Sequence, residues 1–132
     1  MKIDLMVSSP LSRTMETAQI IAQEIGFDPA KIVLDERIAE YDVGSFKGKS
    51  KKGVTSLQLT AAPGAEDPQR FQERVEACVK ELARLPGNLL LVSHNGVGRM
   101  LEIIRTNGDP KLFYDGQEHG NAVVKALDWL DR

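Results

Sequence analysis

Residues 89–101 constrain the fold of this chain more than any other stretch, because an aliphatic run there ends abruptly at a histidine. Leu89–Val92 shows no polar alternation, which is typical of a parallel strand covered on both faces. The residues after His94 recur at helical spacing: Val97, Met100, Leu101 and Ile104. We therefore expect His94 at the carboxyl end of a strand and at the start of a helix, where open α/β sheets bind anionic ligands. A histidine that only caps this turn is the alternative.

A second strand-to-helix junction is predicted near residue 9. Lys2–Val7 reads as a short strand, Ser9 suits the N-cap of a following helix, and Pro10 suits its first position. Arg13 would lie in the first helical turn, where a cation opposes the helix dipole unless an anion is bound nearby. The placement favours a ligand role, and a surface ion pair of Arg13 with Glu16 or Glu36 is the alternative. The expected core stripe of this helix consists of Met15, Ala18, Ile21 and Ile25.

The remaining elements alternate in the same way. Lys31–Leu34 is predicted to be a second short strand, and the region from Glu40 to Glu66 is loop-like, with a short helical or extended piece at Val54–Leu59. Long loops in compact domains are usually functional or disordered. A helix is expected to begin at Asp67-Pro68, with an apolar stripe of Phe71, Val75, Cys78, Val79, Leu82 and Leu85. Cys78 is therefore expected in the core and not as a nucleophile.

The alternation of strand and helix predicts a layered α/β sheet, with a last strand at Asn121–Trp129. Three predicted strand ends then present Arg13, Glu40 and His94. Because the carboxyl ends of parallel strands meet at one edge of a sheet, these three side chains are the candidates for a common site.

Composition excludes several classes of function. The 132 residues suffice for one domain with a single core, and 17 basic against 19 acidic side chains leave a formal net charge of −2. The lysine cluster at Lys47, Lys49, Lys51 and Lys52 is interpreted as a solvated loop, so nucleic acid is not expected as a partner. The single cysteine excludes an internal disulfide, and no apolar stretch approaches the ~18 residues of a membrane span. No signal peptide is recognisable, so we expect a cytoplasmic protein without a membrane partner.

Five segments, taken in order, resemble the histidine phosphatase superfamily, the phosphoglycerate mutase-like proteins. Ser9–Ala18 resembles the family's Ser-Pro-Leu-x-Arg-Ala-x-x-Thr-Ala, and Glu40–Gly48 resembles its Glu-x-x-x-Gly-x-Trp-x-Gly. Pro63-Gly-Ala-Glu66 and the later Arg74-Val75 are similar to its Pro-Gly-Gly-Glu and Arg-Val pair. Val92–Gly96 resembles its Val-x-His-Gly-Gly, with asparagine replacing the first glycine.

This resemblance implies a three-layer α/β/α fold whose mostly parallel sheet has an antiparallel last strand. It also implies phosphomonoester chemistry through a phosphohistidine, with neither a metal nor another cofactor. By carry-over, Arg13 and His94 would hold the phosphoryl oxygens, with Ser9 and Asn95 also in the phosphate site. Glu40 would give its proton to the leaving alkoxide.

One departure concerns the nucleophile. The family opens with a strand ending in Arg-His-Gly, whose histidine accepts the phosphoryl group, whereas here Met1 falls where the family's second strand begins. We therefore expect a single truncated domain over residues 1–132 that lacks the first, central strand, and a chain that is inactive or a fragment. The strands beside that slot are expected to pair directly or to borrow a strand from a second copy in a homodimer.

His119 is the other histidine of the sequence. Glu118-His-Gly120 superficially resembles the missing tripeptide, and it precedes the last strand, whose start would lie at the rim of the pocket. Because a loop positions a nucleophile poorly, we expect a rim or solvent-exposed histidine there and not a replacement nucleophile.

Two functions of different class follow from these observations. The first is a phosphatase of this superfamily acting on a small phosphorylated metabolite. Only 25 residues separate Glu40 from Glu66, whereas the family's mutases carry longer lid insertions there, so hydrolysis is favoured over mutase activity. The second is a non-catalytic or regulatory homologue that binds phosphorylated ligands.

Overall fold

A computed structural model describes residues 2–115 of the chain, so the predicted last strand at Asn121–Trp129 lies outside the described residues. Within them, three strands form one sheet: β1 (Leu5–Ser8), β2 (Val33–Leu34) and β3 (Leu89–Val92). The strand order is β2-β1-β3, and both neighbours run parallel to β1. The α/β class and the parallel sheet predicted from the strand and helix alternation are therefore confirmed.

The helices lie between and after these strands. They are α1 (Ser12–Ile25), α2 (Ser56–Thr60), α3 (Pro68–Ala83) and α4 (Asn95–Thr106). Short 3₁₀ helices occupy Pro29–Lys31, Glu36–Ile38, Gly44–Phe46 and Pro110–Asp115. Across residues 2–115, every helix is too short or too polar to cross a lipid bilayer.

Helices cover both faces of the sheet, because successive residues of a strand point to opposite sides. On one face, Met6 and Val92 pack against Ala18 and Ala22 of α1. On the other face, Val7 belongs to a larger core built with α3, α4 and the segments between them. The buried members contributed by α4 are Val97, Met100, Leu101 and Ile104, which confirms the stripe expected for that helix.

The start and the buried face of α1 differ from the prediction. The helix begins at Ser12 with Leu11 at the N-cap position, so neither Ser9 nor Pro10 takes its expected role. Ser9 instead continues the extended backbone of β1, where its N–H donates to the Val92 carbonyl at 2.9 Å. The buried residues of α1 are Thr14, Ala18 and Ala22, whereas Ile25 is 49% exposed. Of the expected stripe, Ala18 is buried and Ile21 packs against the same cluster while staying partly exposed.

Two other predicted elements are shorter than expected. The strand expected at Lys31–Leu34 is reduced to Val33–Leu34, because a 3₁₀ helix capped by Asp28 takes up its beginning. The helix α3 ends at Ala83, and Leu85 beyond it is half exposed. Cys78 lies in the core as predicted, and burial raises the pKa of its thiol to about 12. A thiol with that pKa is not a nucleophile at neutral pH.

The long segment between Glu40 and Glu66 is folded back on itself. The Glu66 N–H donates to the Asp42 carbonyl and the Ser45 N–H donates to the Pro63 carbonyl, each at 2.9 Å. Gly44 has a φ of 56° and lies so close to the backbone of residues 63–65 that a Cβ would overlap it. The predicted short piece at Val54–Leu59 is the helix α2, which Thr55 and Gln58 begin with a capping box.

Candidate active site

The carboxyl ends of all three strands meet at one edge of the sheet. Ser8, the last residue of β1, lies in register with Leu34 of β2 and with Val92 of β3. The residues that follow each strand therefore start at the same level. This register is what brings the segments carrying Ser9, Glu40 and His94 together.

A hydrogen bond joins Ser9 and His94 across two of these strand ends. The His94 Nε2 atom lies 2.8 Å from the Ser9 Oγ atom, and Ser9 is fully buried. The Leu11 N–H already donates to Ser9 Oγ at 3.4 Å, which leaves the hydroxyl proton available for His94 Nε2. Although His94 occupies the N-cap position of α4, its side chain makes no capping hydrogen bond, so the alternative of a merely capping histidine is wrong.

The charges around His94 come from three separate elements. Burial lowers the pKa of the imidazole, the carboxylate of Glu40 raises it, and the cations Arg13 and Arg74 lower it further. The net direction is downward, so His94 is held mainly as a neutral imidazole. A bound anion would reverse this balance and favour the charged imidazolium.

Glu40 lies against the first turn of α4. Its Oε1 atom accepts the Tyr41 N–H at 2.8 Å, and a Cβ built on Gly96 would overlap the same oxygen. Gly96 therefore has to lack a side chain for the Glu40 carboxylate to occupy this place. The result is a carboxylate next to the backbone that begins directly after His94.

Arg13 and Asn95 present polar groups that residues 2–115 leave unengaged. Arg13 is exposed in the first turn of α1, as expected, and its side chain makes no hydrogen bond or ion pair within the described part of the chain. The expected alternative, a surface ion pair with a glutamate, is therefore wrong for that part. Asn95 is the half-buried first residue of α4, and its side-chain amide likewise has no partner among residues 2–115.

Sequence reasoning assigned no role to Arg74 or Glu66, although both fell within motifs of the resemblance. The Arg74 guanidinium is held by the Glu66 carboxylate, with Nε and Oε2 separated by 2.7 Å. It also donates to backbone carbonyls of the segment that carries Glu40. The available signal was the position of Arg74 on the apolar stripe of α3, where a cation has to be paired.

His119 lies outside the described residues, so its expected place at the rim stays a prediction. Within residues 2–115, no group of three or more histidine, cysteine, aspartate or glutamate side chains is arranged to hold a metal ion. The site built by the three strand ends is therefore a set of hydrogen-bond donors and one carboxylate. Such a set suits an oxyanion ligand and a proton transfer.

Solved structures share this architecture. The chain superimposes on Bacillus stearothermophilus YhfR with a TM-score of 0.71 and 21% identity, over 89% of this chain and 63% of that one. It superimposes on a mycobacterial glucosyl-3-phosphoglycerate phosphatase, in complex with inorganic phosphate, with a TM-score of 0.72 and 22% identity, over 92% of this chain and 67% of that one. At these identities the likeness concerns the fold alone.

Sequence comparison identifies the family. The probable phosphoglycerate mutase GpmB of Salmonella choleraesuis is 34% identical over 108 residues, which are 71% of this chain and 49% of the relative. Its counterpart in Salmonella newport is 35% identical over 102 residues, 67% of this chain and 46% of the relative. The chain thus spans about half the length of the curated relatives it matches. The profile of the histidine phosphatase superfamily (branch 1) matches residues 1–132, and the chain therefore belongs to that superfamily.

Proposed function

We propose that this chain provides the phosphoryl-binding and proton-donating part of a phosphomonoesterase site. The observation that carries the proposal is the arrangement of three groups around one end of the sheet. They are Arg13, whose side chain has no partner among residues 2–115, the half-buried His94, and the Glu40 carboxylate. This set matches a phosphomonoester. Its phosphoryl oxygens need hydrogen-bond donors, which Arg13 and His94 supply, and its leaving oxygen needs a proton, which Glu40 supplies.

Each residue has a separate task in this proposal. Arg13 and His94 bind the equatorial phosphoryl oxygens, and Asn95 offers its amide and the N-terminal end of α4 to the same group. Ser9 orients His94 through the 2.8 Å hydrogen bond and does not itself bind phosphate, since its hydroxyl is fully buried. Glu40, in its protonated form, transfers its proton to the leaving alkoxide and becomes a carboxylate.

The nucleophile of the family is not among these residues. The 132-residue sequence contains no Arg-His-Gly tripeptide, and its two histidines follow serine and glutamate. The residues of the site can therefore bind the phosphoryl group and assist the leaving group, whereas displacement on histidine needs a histidine placed in line with the leaving oxygen. Non-catalytic binding of phosphorylated ligands uses the same site, so the two functions differ only in turnover.

Hydrolysis of small monoesters is the favoured reaction. The segment between Glu40 and Glu66 is tied back on itself by backbone hydrogen bonds, which leaves little chain for a lid over a large substrate. A mycobacterial phosphatase of the same fold has been solved with inorganic phosphate and with VO3. Orthovanadate is therefore a suitable probe of the site in this chain.

The test is thermal unfolding of the 132-residue chain with and without orthovanadate or phosphate. We expect both anions to raise Tm, because hydrogen bonds to charged partners contribute roughly 1.5–3 kcal/mol each. Arg13→Ala and His94→Ala should each abolish the ligand-induced increase. Arg70→Ala is the matched control, since Arg70 is exposed on α3 and takes no part in the site. An unchanged increase in the double variant Arg13→Ala/His94→Ala would refute the proposed site.

A further inference from the structure

The Arg74 guanidinium uses every donor it has. Its Nε donates to Glu66 Oε2 at 2.7 Å and its Nη2 donates to Glu66 Oε1 at 2.9 Å. Nη1 donates to the carbonyls of Arg37 and Ala39, both at 2.8 Å, and Nη2 donates to the carbonyl of Glu40 at 3.2 Å. A guanidinium has five N–H groups, and all five are engaged. Arg74 is therefore held in a single orientation.

Three of the five acceptors are backbone carbonyls of residues 37–40, which we call the Glu40 segment. Arg74 binds three of its four carbonyls, and the fourth, that of Ile38, accepts the Ser93 hydroxyl at 2.6 Å. Ser93 directly precedes His94. The Glu40 segment is thus attached on one side to α3 and on the other to the strand end that carries His94.

Glu66 extends the same connection to the residues after Glu40. Its Oε1 accepts the Asp42 N–H at 3.2 Å, and its backbone carbonyl accepts the Tyr41 hydroxyl at 2.5 Å. The side chains of Arg74 and Glu66 are 23% and 20% exposed, so the ion pair is shielded enough to be stronger than a surface pair. Residues on both sides of Glu40 are therefore fixed by one pair of side chains.

We propose that Arg74 and Glu66 form a clamp that positions the Glu40 carboxylate beside His94. Arg74 is a positioning residue, because its donors reach the backbone of the Glu40 segment and the Glu66 carboxylate. This inference rests on the proton-donating role proposed for Glu40. A proton donor has to be held within hydrogen-bonding reach of the leaving oxygen, and a short loop without anchors would not hold it there.

The pKa of His94 depends on how close the Glu40 carboxylate lies to the imidazole. NMR titration of the imidazole measures this pKa without a ligand. Glu40→Gln should lower the pKa of His94 in the wild-type chain, because it removes the carboxylate that raises it. Arg74→Lys keeps the positive charge but cannot bind three carbonyls and a carboxylate, so the Glu40 carboxylate should move away from His94. In this background Glu40→Gln should lower the pKa of His94 by about half as much as in the wild-type chain or less, because Coulomb energy falls with distance. The His94 resonance is assigned by comparison with His119→Gln, in which the resonance of the other histidine is missing.

Arg70→Lys is the control, since it makes the same exchange at an exposed position of α3 and should leave the effect of Glu40→Gln at its wild-type size. Should Arg74→Lys fail to fold, Glu66→Gln loosens the clamp with Arg74 intact and should also reduce the effect. A purely structural role for Arg74 would lower Tm and leave the effect unchanged, which would overturn the proposal. The titration needs no ligand and is therefore independent of the vanadate experiment, in which an unchanged Tm increase in Arg13→Ala/His94→Ala refutes the proposed function separately.

Discussion

The His94 imidazole couples the site to pH. Its pKa lies below the usual value of ~6.5 in the folded chain, chiefly because of burial, so the unfolded chain binds more protons near that pH. The contribution of His94 to stability is therefore complete above the unfolded pKa and is lost as pH falls through the folded pKa.

We expect the wild-type chain to lose more free energy of unfolding than His94→Gln when pH is lowered from about 7.5 to about 5.5. Urea unfolding at a series of pH values in that range measures the difference. The variant His119→Gln removes the other imidazole of the sequence, so that its curve separates the contribution of His94 from that of His119. Identical pH dependence in His94→Gln and the wild type would contradict the buried, neutral state of this histidine.

The first turn of α4 and the Glu40 segment meet where Gly96 lies against the Glu40 carboxylate. Alanine at an ordinary helical position stabilises by roughly 0.5–1 kcal/mol relative to glycine. At Gly96 the added methyl group would overlap Glu40 Oε1, so the carboxylate would have to move. The requirement for glycine thus arises from the Glu40 carboxylate and not from the helix.

Gly96→Ala should therefore destabilise the chain, and the same substitution should be neutral or stabilising by about 0.5–1 kcal/mol when Glu40→Ala removes the carboxylate. Chemical denaturation of the four members of this double-mutant cycle gives the coupling energy. If Gly96→Ala lowered the free energy of unfolding equally in both backgrounds, the destabilisation would not come from the overlap with Glu40.

The strand β3 lies at an edge of the sheet that residues 2–115 form. Within residues 2–115 it pairs with β1 on one side and has no strand on the other. Backbone groups that are buried without partners cost about 1–3 kcal/mol each, which a domain stabilised by ~5–15 kcal/mol cannot sustain for a whole edge. We expect segment 121–129 or a strand from a second copy to complete this edge.

Sedimentation at low concentration, combined with hydrogen exchange of the amides of Leu89–Val92, tests this expectation. Protected amides in a monomer would indicate pairing within the chain, and protection that depends on concentration would indicate a dimer. A dilute, cooperatively folded monomer whose last strand pairs with neither neighbour would contradict the prediction.

For the whole molecule, turnover of a phosphomonoester is the property that distinguishes the two proposed functions. Positioning a bound nucleophile contributes ~7–11 kcal/mol, whereas general acid catalysis supplies on the order of 10²–10⁴-fold, so Glu40 cannot replace a missing nucleophile. We expect the 132-residue chain to hydrolyse aryl phosphates at a trace rate or not at all. Joining an amino-terminal strand that ends in Arg-His-Gly should raise the rate by orders of magnitude.

Acid quench with a labelled aryl phosphate, followed by mapping of phosphohistidine, identifies the group that is phosphorylated. The fused chain should carry label on the added histidine. Substantial label on His94 or His119 in the 132-residue chain would show that another histidine acts as the nucleophile. A fused chain that binds vanadate but stays inactive would instead favour the non-catalytic, ligand-binding function.

Local sequence patterns by themselves determined where most elements lie. The spacing of apolar residues located α4 and its buried face. The position of His94 after an aliphatic run also followed from the sequence. These features depend on neighbours within a few residues, which is why a pattern along the chain can reveal them.

Tertiary structure alone decided how the site is assembled. Ser9 lies 85 residues from His94, and only the register of β1 with β3 brings their side chains within hydrogen-bonding distance. The helix cap that the sequence favoured for Ser9 is not formed, because α1 begins three residues later at Ser12. Likewise, Arg74 reaches carbonyls 34 to 37 residues away, and nothing local to either segment specifies the pairing. Such bonds depend on how separate elements pack, because each needs both partners at one place before it can form.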